Sequence, residues 1–176
     1  GSHRISTVIN SLIKTTWDLP LDNDLQVKED LFNKTVVINV QADQPFINPN
    51  IIKEMINFFN NAKGETKVLT PVYRLKNELI HNPNVVKTLL NKKNEAIYFS
   101  RTALPYVRDL EEHKWGEFFN YWGHAGIYGY RADILSFWQK LTISPLEKAE
   151  KLEQLRLIDN DISISTFEIK EESLSV

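Results

Sequence analysis

The strongest constraint on the fold is Val36-Val37-Ile38-Asn39-Val40, which runs straight into Gln41-Ala42-Asp43-Gln44-Pro45. A short β-branched run without alternation predicts a strand buried on both faces, the pattern of a central strand in an α/β sheet. Gln41 and Asp43 then project polar side chains at the strand's carboxyl end, where open α/β sheets hold their ligands. Asn48-Pro49 follows, an N-cap residue and a first-turn proline, so a helix is expected to begin there. A carboxylate between a strand and a helix start can take a divalent metal or satisfy loop amides. Asp43 admits both readings.

Composition narrows the classes. A chain of 176 residues, 42% hydrophobic and 11% aromatic, can bury a real core and fits one domain. A formal charge of -2 offers no general reason to bind nucleic acid or an anionic membrane. The chain has no cysteine, which excludes disulfides and thiolate metal sites. No apolar run approaches a membrane span and the first residues lack a signal pattern, so a cytoplasmic protein is expected.

In chain order, Ile5, Val8, Ile9, Leu12 and Ile13 recur at helical spacing, predicting an amphipathic helix that starts at once. The polar stretch from Asp18 to Asp30 reads as a loop. After the first strand, Ile51, Ile52, Met55, Ile56, Phe58, Phe59 and Ala62 mark a helix face, with Gly64 placed to end it. Lys67 to Tyr73 predicts a strand, and Pro71 implies an edge or a bulge. Asn82-Pro83-Asn84 is turn chemistry, followed by a hairpin of Val85–Leu90 and Ala96–Ser100. Arg101 to Trp122 is irregular and aromatic-rich. His124-Ala125-Gly126-Ile127-Tyr128-Gly129-Tyr130 reads as one strand whose glycines admit a close neighbour. Arg131 to Leu141 has helical spacing, and Ile162, Ile164 and Thr166 alternate in a final strand.

The last helix is announced by Ser144-Pro145-Leu146-Glu147, a capping box with proline at the first turn. At about 100° per residue, Leu146, Ala149, Leu152, Leu155 and Leu157 form one apolar arc. Glu153 and Arg156 fall inside that arc, so Glu153 is either paired with Arg156 at i, i+3 or turned toward a ligand. His124 lies among small residues, where its imidazole either serves a ligand carboxylate or hydroxyl or is a hydrogen-bonded structural histidine. Arg101, directly after a strand, can clamp a carboxylate in bidentate fashion or form a surface ion pair. His81 and His113 sit in polar turns and are expected to be solvated. The tyrosines at 98, 106, 121, 128 and 130 are expected in the core or an interface. The sequence contains no Walker loop, GxGxxG, GxSxG or HExxH.

Five blocks stand in one order: Val37 to Pro45, Asn82 to Lys87, Tyr98-Phe99-Ser100-Arg101, His124 to Arg131, and Ser144 through Arg156. Together they resemble the 3-deoxy-manno-octulosonate cytidylyltransferase (CMP-KDO synthetase) family. Gly1 to Ile5 is similar to that family's Ser-Gly-Thr-Asp/Glu-Arg motif, with Ser2 and His3 as departures. The resemblance implies an α/β, Rossmann-like nucleotidyltransferase (nucleotide-diphospho-sugar transferase) fold with a mixed sheet, N-terminally incomplete. It would be a single domain over residues 1–176 with a dimerising subregion around 101–130. The implied reaction joins CTP to the anomeric hydroxyl of 3-deoxy-manno-octulosonate (KDO), releasing pyrophosphate, with Mg²⁺ required, for lipopolysaccharide synthesis. Asp43 matches a metal-binding aspartate, and Asp43 and Arg101 would carry the chemistry. Gln41, Arg101, His124, Glu153 and Gln154 would line the sugar-acid pocket, with Gly1, Ser2 and Arg4 near the nucleotide. A homodimer is implied.

The resemblance also implies family parts outside this sequence: a first strand with a basic phosphate loop, and a second metal aspartate in an Asp-Thr-Pro-like segment. The chain is therefore expected to be an internal portion of a longer enzyme and inactive alone. Two other readings stay open. One is a non-catalytic module that keeps the sugar pocket and the dimer surface. The other is a cytidylyltransferase for a related acid such as 8-amino-KDO.

Overall fold

The computed structural model describes residues 2–17, 34–41, 47–62 and 65–170. Asp43, Gly1, Gly64 and the stretch from Asp18 to Asp30 lie outside them. The architecture is a mixed seven-stranded sheet in the order β1-β6-β2-β5-β3-β4, with β7 beside β2. Its strands are β1 (Val36–Asn39), β2 (Val68–Arg74), β3 (Lys87–Leu90), β4 (Ala96–Ser100), β5 (Trp122–His124), β6 (Tyr128–Arg131) and β7 (Ile164–Glu168). The helices are α1 (Ser2–Trp17), α2 (Pro49–Asn61), α3 (Trp115–Phe118), α4 (Ala132–Phe137), α5 (Pro145–Glu150) and α6 (Leu155–Asp159).

Local chemistry accounts for several of these elements. The Asn48 side chain accepts from the Asn50 amide at 3.0 Å and Pro49 opens α2, as the dipeptide predicted. The buried face of α2 is Ile51, Met55 and Phe59. The β3–β4 hairpin is present, with a register shift at Leu89/Leu90. Helix α1 forms where the periodicity placed it, and Ile9 is fully buried. Val8 and Leu12 are 46% and 50% exposed, so the predicted apolar stripe is narrower than its spacing suggested.

Alternation along β2 sends successive side chains to opposite faces. Val68 joins Ile9, Tyr130, Leu135, Trp138 and Leu155 on one side, while Leu69 joins Met55, Phe59 and Ile127 on the other. Helices thus cover both faces, and each fully buried Leu, Ile or Phe contributes roughly 1.5–3 kcal/mol. A third cluster of Ile80, Val107, Trp115 and Tyr121 sits in the irregular aromatic segment.

Four expectations change. Strand β1 is not central: it ends the sheet order, pairs with β6 alone among the described residues, and its Val36, Val37 and Ile38 are only half-buried. Strand β2, which Pro71 marked as an edge, is the hub and pairs with β5, β6 and β7. The Pro71 carbonyl accepts from Ala125, so the missing Pro71 N–H falls on the same side, at the break between β5 and β6 where no ladder bond is needed. The run from His124 to Tyr130 is two strands, interrupted where Gly126 takes φ 76°. The close neighbour that its glycines admit is partly the core itself, since a Cβ on Gly129 would stand 2.5 Å from the Phe59 ring. Finally, the helix predicted from Ser144 breaks: Lys151 turns left-handed at φ 56°, and α6 restarts at Leu155.

Candidate functional site

That break creates the site. Because α5 stops at Lys151, Glu153 and Gln154 stand on a connector rather than on a helix face, and both line a hollow of about 410 Å³. Gln41 reaches it from the end of β1, Arg101 from the end of β4, and His124 from the end of β5. Five predicted residues from four separate segments therefore share one cavity. Ser2, expected near a nucleotide, lines the same hollow, and its hydroxyl lies 2.8 Å from the Tyr130 hydroxyl. Arg4 is exposed and is not among the lining residues. Asp43 and Gly1, outside the described residues, receive no position here.

Arg101 is anchored before any ligand arrives. Its Nε donates to the Glu150 carbonyl at 2.9 Å and its Nη1 to the Pro83 carbonyl at 3.2 Å. The side-on fork of Nε and Nη2 is thus not available to a carboxylate, and the bidentate geometry first expected changes. What remains uncommitted among the described residues is Nη2 and one hydrogen of Nη1. Those donors suit a carboxylate approached end-on.

His124 has its polarity set from behind. The Thr70 hydroxyl donates to the Ile127 carbonyl at 2.7 Å, so its proton is spent and its oxygen can only accept from His124 Nε2, 3.1 Å away. Nδ1 is then the acceptor of a neutral imidazole. Burial holds the ring neutral by lowering its pKa from 6.5 to about 3. Near neutral pH such a ring can accept from a hydroxyl but cannot serve a carboxylate as a cation. The structural reading accounts for Nε2, and the ring also lines the hollow.

The Glu153–Arg156 pair does not form. Arg156 instead makes a bidentate pair with Glu147, at 2.8 and 2.6 Å. The backbone keeps an i, i+3 turn here, with the Arg156 amide donating to the Glu153 carbonyl at 3.2 Å, but the guanidinium is taken by Glu147 from the preceding helix. Glu153 is left exposed at the hollow with no ion pair among the described residues. Gln154 is 6% exposed, and its Nε2 has no hydrogen-bond partner among the described residues. An unpaired buried donor costs about 1–3 kcal/mol, a cost that a ligand acceptor would remove.

Sequence reasoning missed Tyr128, Tyr130 and Lys151 as lining residues. The Tyr128 hydroxyl is a second buried donor without a partner among the described residues. Burial, then Tyr130 and Glu153, push its pKa well upward, so the proton stays on. The missing signal was period two: His124, Gly126, Tyr128 and Tyr130 are alternate residues, and all four line the hollow. A larger cavity of about 590 Å³ lies elsewhere, around Lys67 and Asp133. It gathers none of the candidate residues, and its cation is already paired with Asp133 at 3.1 Å.

Among solved structures, the chain is similar to a CMP:2-keto-3-deoxy-manno-octonic acid synthetase complexed with CTP. The TM-score is 0.73 at 30% identity, over 96% of this chain and 61% of that one. By fold, this is an α/β chain of the nucleotidyltransferase type. A family model described as cytidylyltransferase matches residues 22–164, and the chain belongs to that family. Among curated relatives, the 3-deoxy-manno-octulosonate cytidylyltransferase of Parabacteroides distasonis is 36% identical over 80% of this chain and 57% of its own length. That of Elusimicrobium minutum is 41% identical over 76% of this chain and 54% of its own length. The chain thus spans a little over half the length of these relatives. Among the described residues, no helix is long and apolar enough to cross a membrane.

Proposed function

We propose that this chain carries the acidic-sugar half of an enzyme that transfers CMP from CTP to 3-deoxy-manno-octulosonate, releasing pyrophosphate. The observation that supports this most is the shared hollow of Gln41, Arg101, His124, Glu153 and Gln154. Its groups match an acidic polyol. The free edge of Arg101 meets the carboxylate, and His124 Nδ1 and Glu153 accept from hydroxyls. Gln154 Nε2 and the Tyr128 hydroxyl donate to ring or hydroxyl oxygens. Holding the sugar at several points fixes the direction of its anomeric hydroxyl, which is what in-line attack on an α-phosphorus requires.

Mg²⁺ belongs to this reading through Asp43. The described residues offer no group of three or more carboxylates or histidines for it. When bound, such an ion would offset triphosphate charge; the sugar contacts do not depend on it. A homodimer belongs to the reading too, through Tyr106 and Phe118, which stand 74% and 77% exposed beside the third aromatic cluster.

Calorimetry with 3-deoxy-manno-octulosonate tests the sugar site. Binding by the 176-residue chain is expected, with affinity falling about 10- to 100-fold in Arg101→Met, since hydrogen bonds to charged groups contribute roughly 1.5–3 kcal/mol. Equal affinity in the variant would remove Arg101 from the site. The 8-amino sugar as competitor tests the sibling reading. Sedimentation of the same samples tests the dimer, and a monomer at micromolar concentration would count against it.

A further inference from the structure

The turn Asn82-Pro83-Asn84 and the lysine that closes its motif have no part in the chemistry above, yet they hold the most anomalous side chain in the molecule. Lys87 is 0% exposed. Its ammonium donates to three main-chain carbonyls, those of Asn82 at 2.8 Å, Val85 at 2.7 Å and Arg101 at 2.5 Å. Three hydrogens meet three acceptors, and among the described residues no carboxylate forms an ion pair with the charge. Burying an ammonium is costly even when it is hydrogen-bonded. What the lysine adds that an apolar side chain could not is a link among the three carbonyls.

That geometry converges on one residue. Lys87 ties the 82–85 turn to the Arg101 carbonyl, and the same turn presents the Pro83 carbonyl that receives Arg101 Nη1. From the opposite side, Glu150 accepts from the Ser100 hydroxyl at 2.6 Å and from the Arg101 amide at 3.0 Å, while its carbonyl takes Arg101 Nε. Arg101 is thereby held at its amide, its carbonyl, Nε and Nη1, leaving Nη2 and one hydrogen of Nη1 uncommitted among the described residues. An arginine loses much rotamer freedom when it clamps a carboxylate; ordering it beforehand removes that cost from binding.

We propose that Lys87 and Glu150 are positioning residues that hold the Arg101 guanidinium ready at the hollow for the carboxylate of its ligand. The identity of that ligand rests on the acidic-sugar reading above; the positioning does not. Two readouts on the 176-residue chain separate them. The first is the Arg101 Nε–H cross-peak in proton–nitrogen correlation spectra, assigned by its absence in Arg101→Lys. The second is calorimetric affinity for 3-deoxy-manno-octulosonate.

In the wild type the cross-peak is expected to be dispersed and slow to exchange. In Lys87→Met it collapses into the averaged arginine signal, with the remaining amide spectrum unchanged and affinity about tenfold weaker. Should Lys87→Met fail to fold, Glu150→Gln decides: loss of the cross-peak supports the proposal, and its retention overturns it. An unchanged cross-peak in both variants likewise overturns it. If the cross-peak behaves as expected while even the wild type ignores the sugar acid, the sugar reading falls and the positioning stands.

Discussion

Replacing Glu147 with alanine is expected to destabilise the fold by about 3–5 kcal/mol, the range for removing one partner of a buried ion pair. The two side chains are 9% and 12% exposed, and the pair is bidentate. The guanidinium also lies 5.4 Å from the Trp138 ring centre, inside the main core. Without Glu147, Arg156 keeps its charge and loses the group that offsets its desolvation. Denaturant unfolding of Glu147→Ala measures the loss. A companion double variant, Glu147→Leu with Arg156→Met, should recover most of it, because two apolar side chains leave no buried charge behind. If Glu147→Ala costs under 1 kcal/mol or so, Glu153 has swung in to pair with Arg156, and the picture of Glu153 as a free ligand-facing carboxylate is wrong.

Acid should destabilise the protein through His124. Its folded-state pKa is depressed to about 3 by burial, against 6.5 for an ordinary imidazole. Between those values the unfolded chain takes up a proton that the folded chain refuses, so stability falls as pH drops from 6.5 toward 3. Above 6.5 both states are neutral and the residue contributes no slope. At about 1.4 kcal/mol per pKa unit, the loss across the window is on the order of 5 kcal/mol. Carboxylates add slopes of their own, so the informative quantity is the difference between wild type and His124→Asn. The wild-type curve should steepen below pH 6.5 relative to the variant. Parallel curves would mean that the ring is solvated in the folded state, and its assigned role as a neutral acceptor would go with it.

How far the sequence disclosed this molecule depends on the range of the signal. Caps are local, and Asn48-Pro49 and Ser144-Pro145 opened helices where they were read, with both side-chain oxygens accepting the expected amides. Sheet position is not local. Val36 to Asn39 has the composition of a central strand and lies at the end of the described sheet. Pro71 has the chemistry of an edge and lies in the hub, because the gap between β5 and β6 absorbs its missing donor. The break at Lys151 carried no sequence mark, since left-handed turns are expected of glycine or asparagine and seldom of lysine. That break moved Glu153 off the helix face and reassigned Arg156.

That Gln41, Arg101, His124, Glu153 and Gln154 share a hollow was legible because they follow strands or belong to ordered blocks. Tyr128 and Tyr130 were missed because tyrosines in a glycine-rich strand read as core. They are core, with their hydroxyl ends at the hollow. Lys87 was legible only as part of a motif, since nothing in Asn82 to Lys87 says that its ammonium reaches the carbonyl of residue 101.

The central claim is that this one hollow receives an acidic sugar, and titrating the isotopically labelled chain with 3-deoxy-manno-octulosonate tests it most directly. The predicted result is saturable shifts at Gln41, Arg101, His124 and Gln154, with the His124 signals remaining those of a neutral ring. Shifts confined to the cavity around Lys67 and Asp133, or none at saturating sugar, would contradict it.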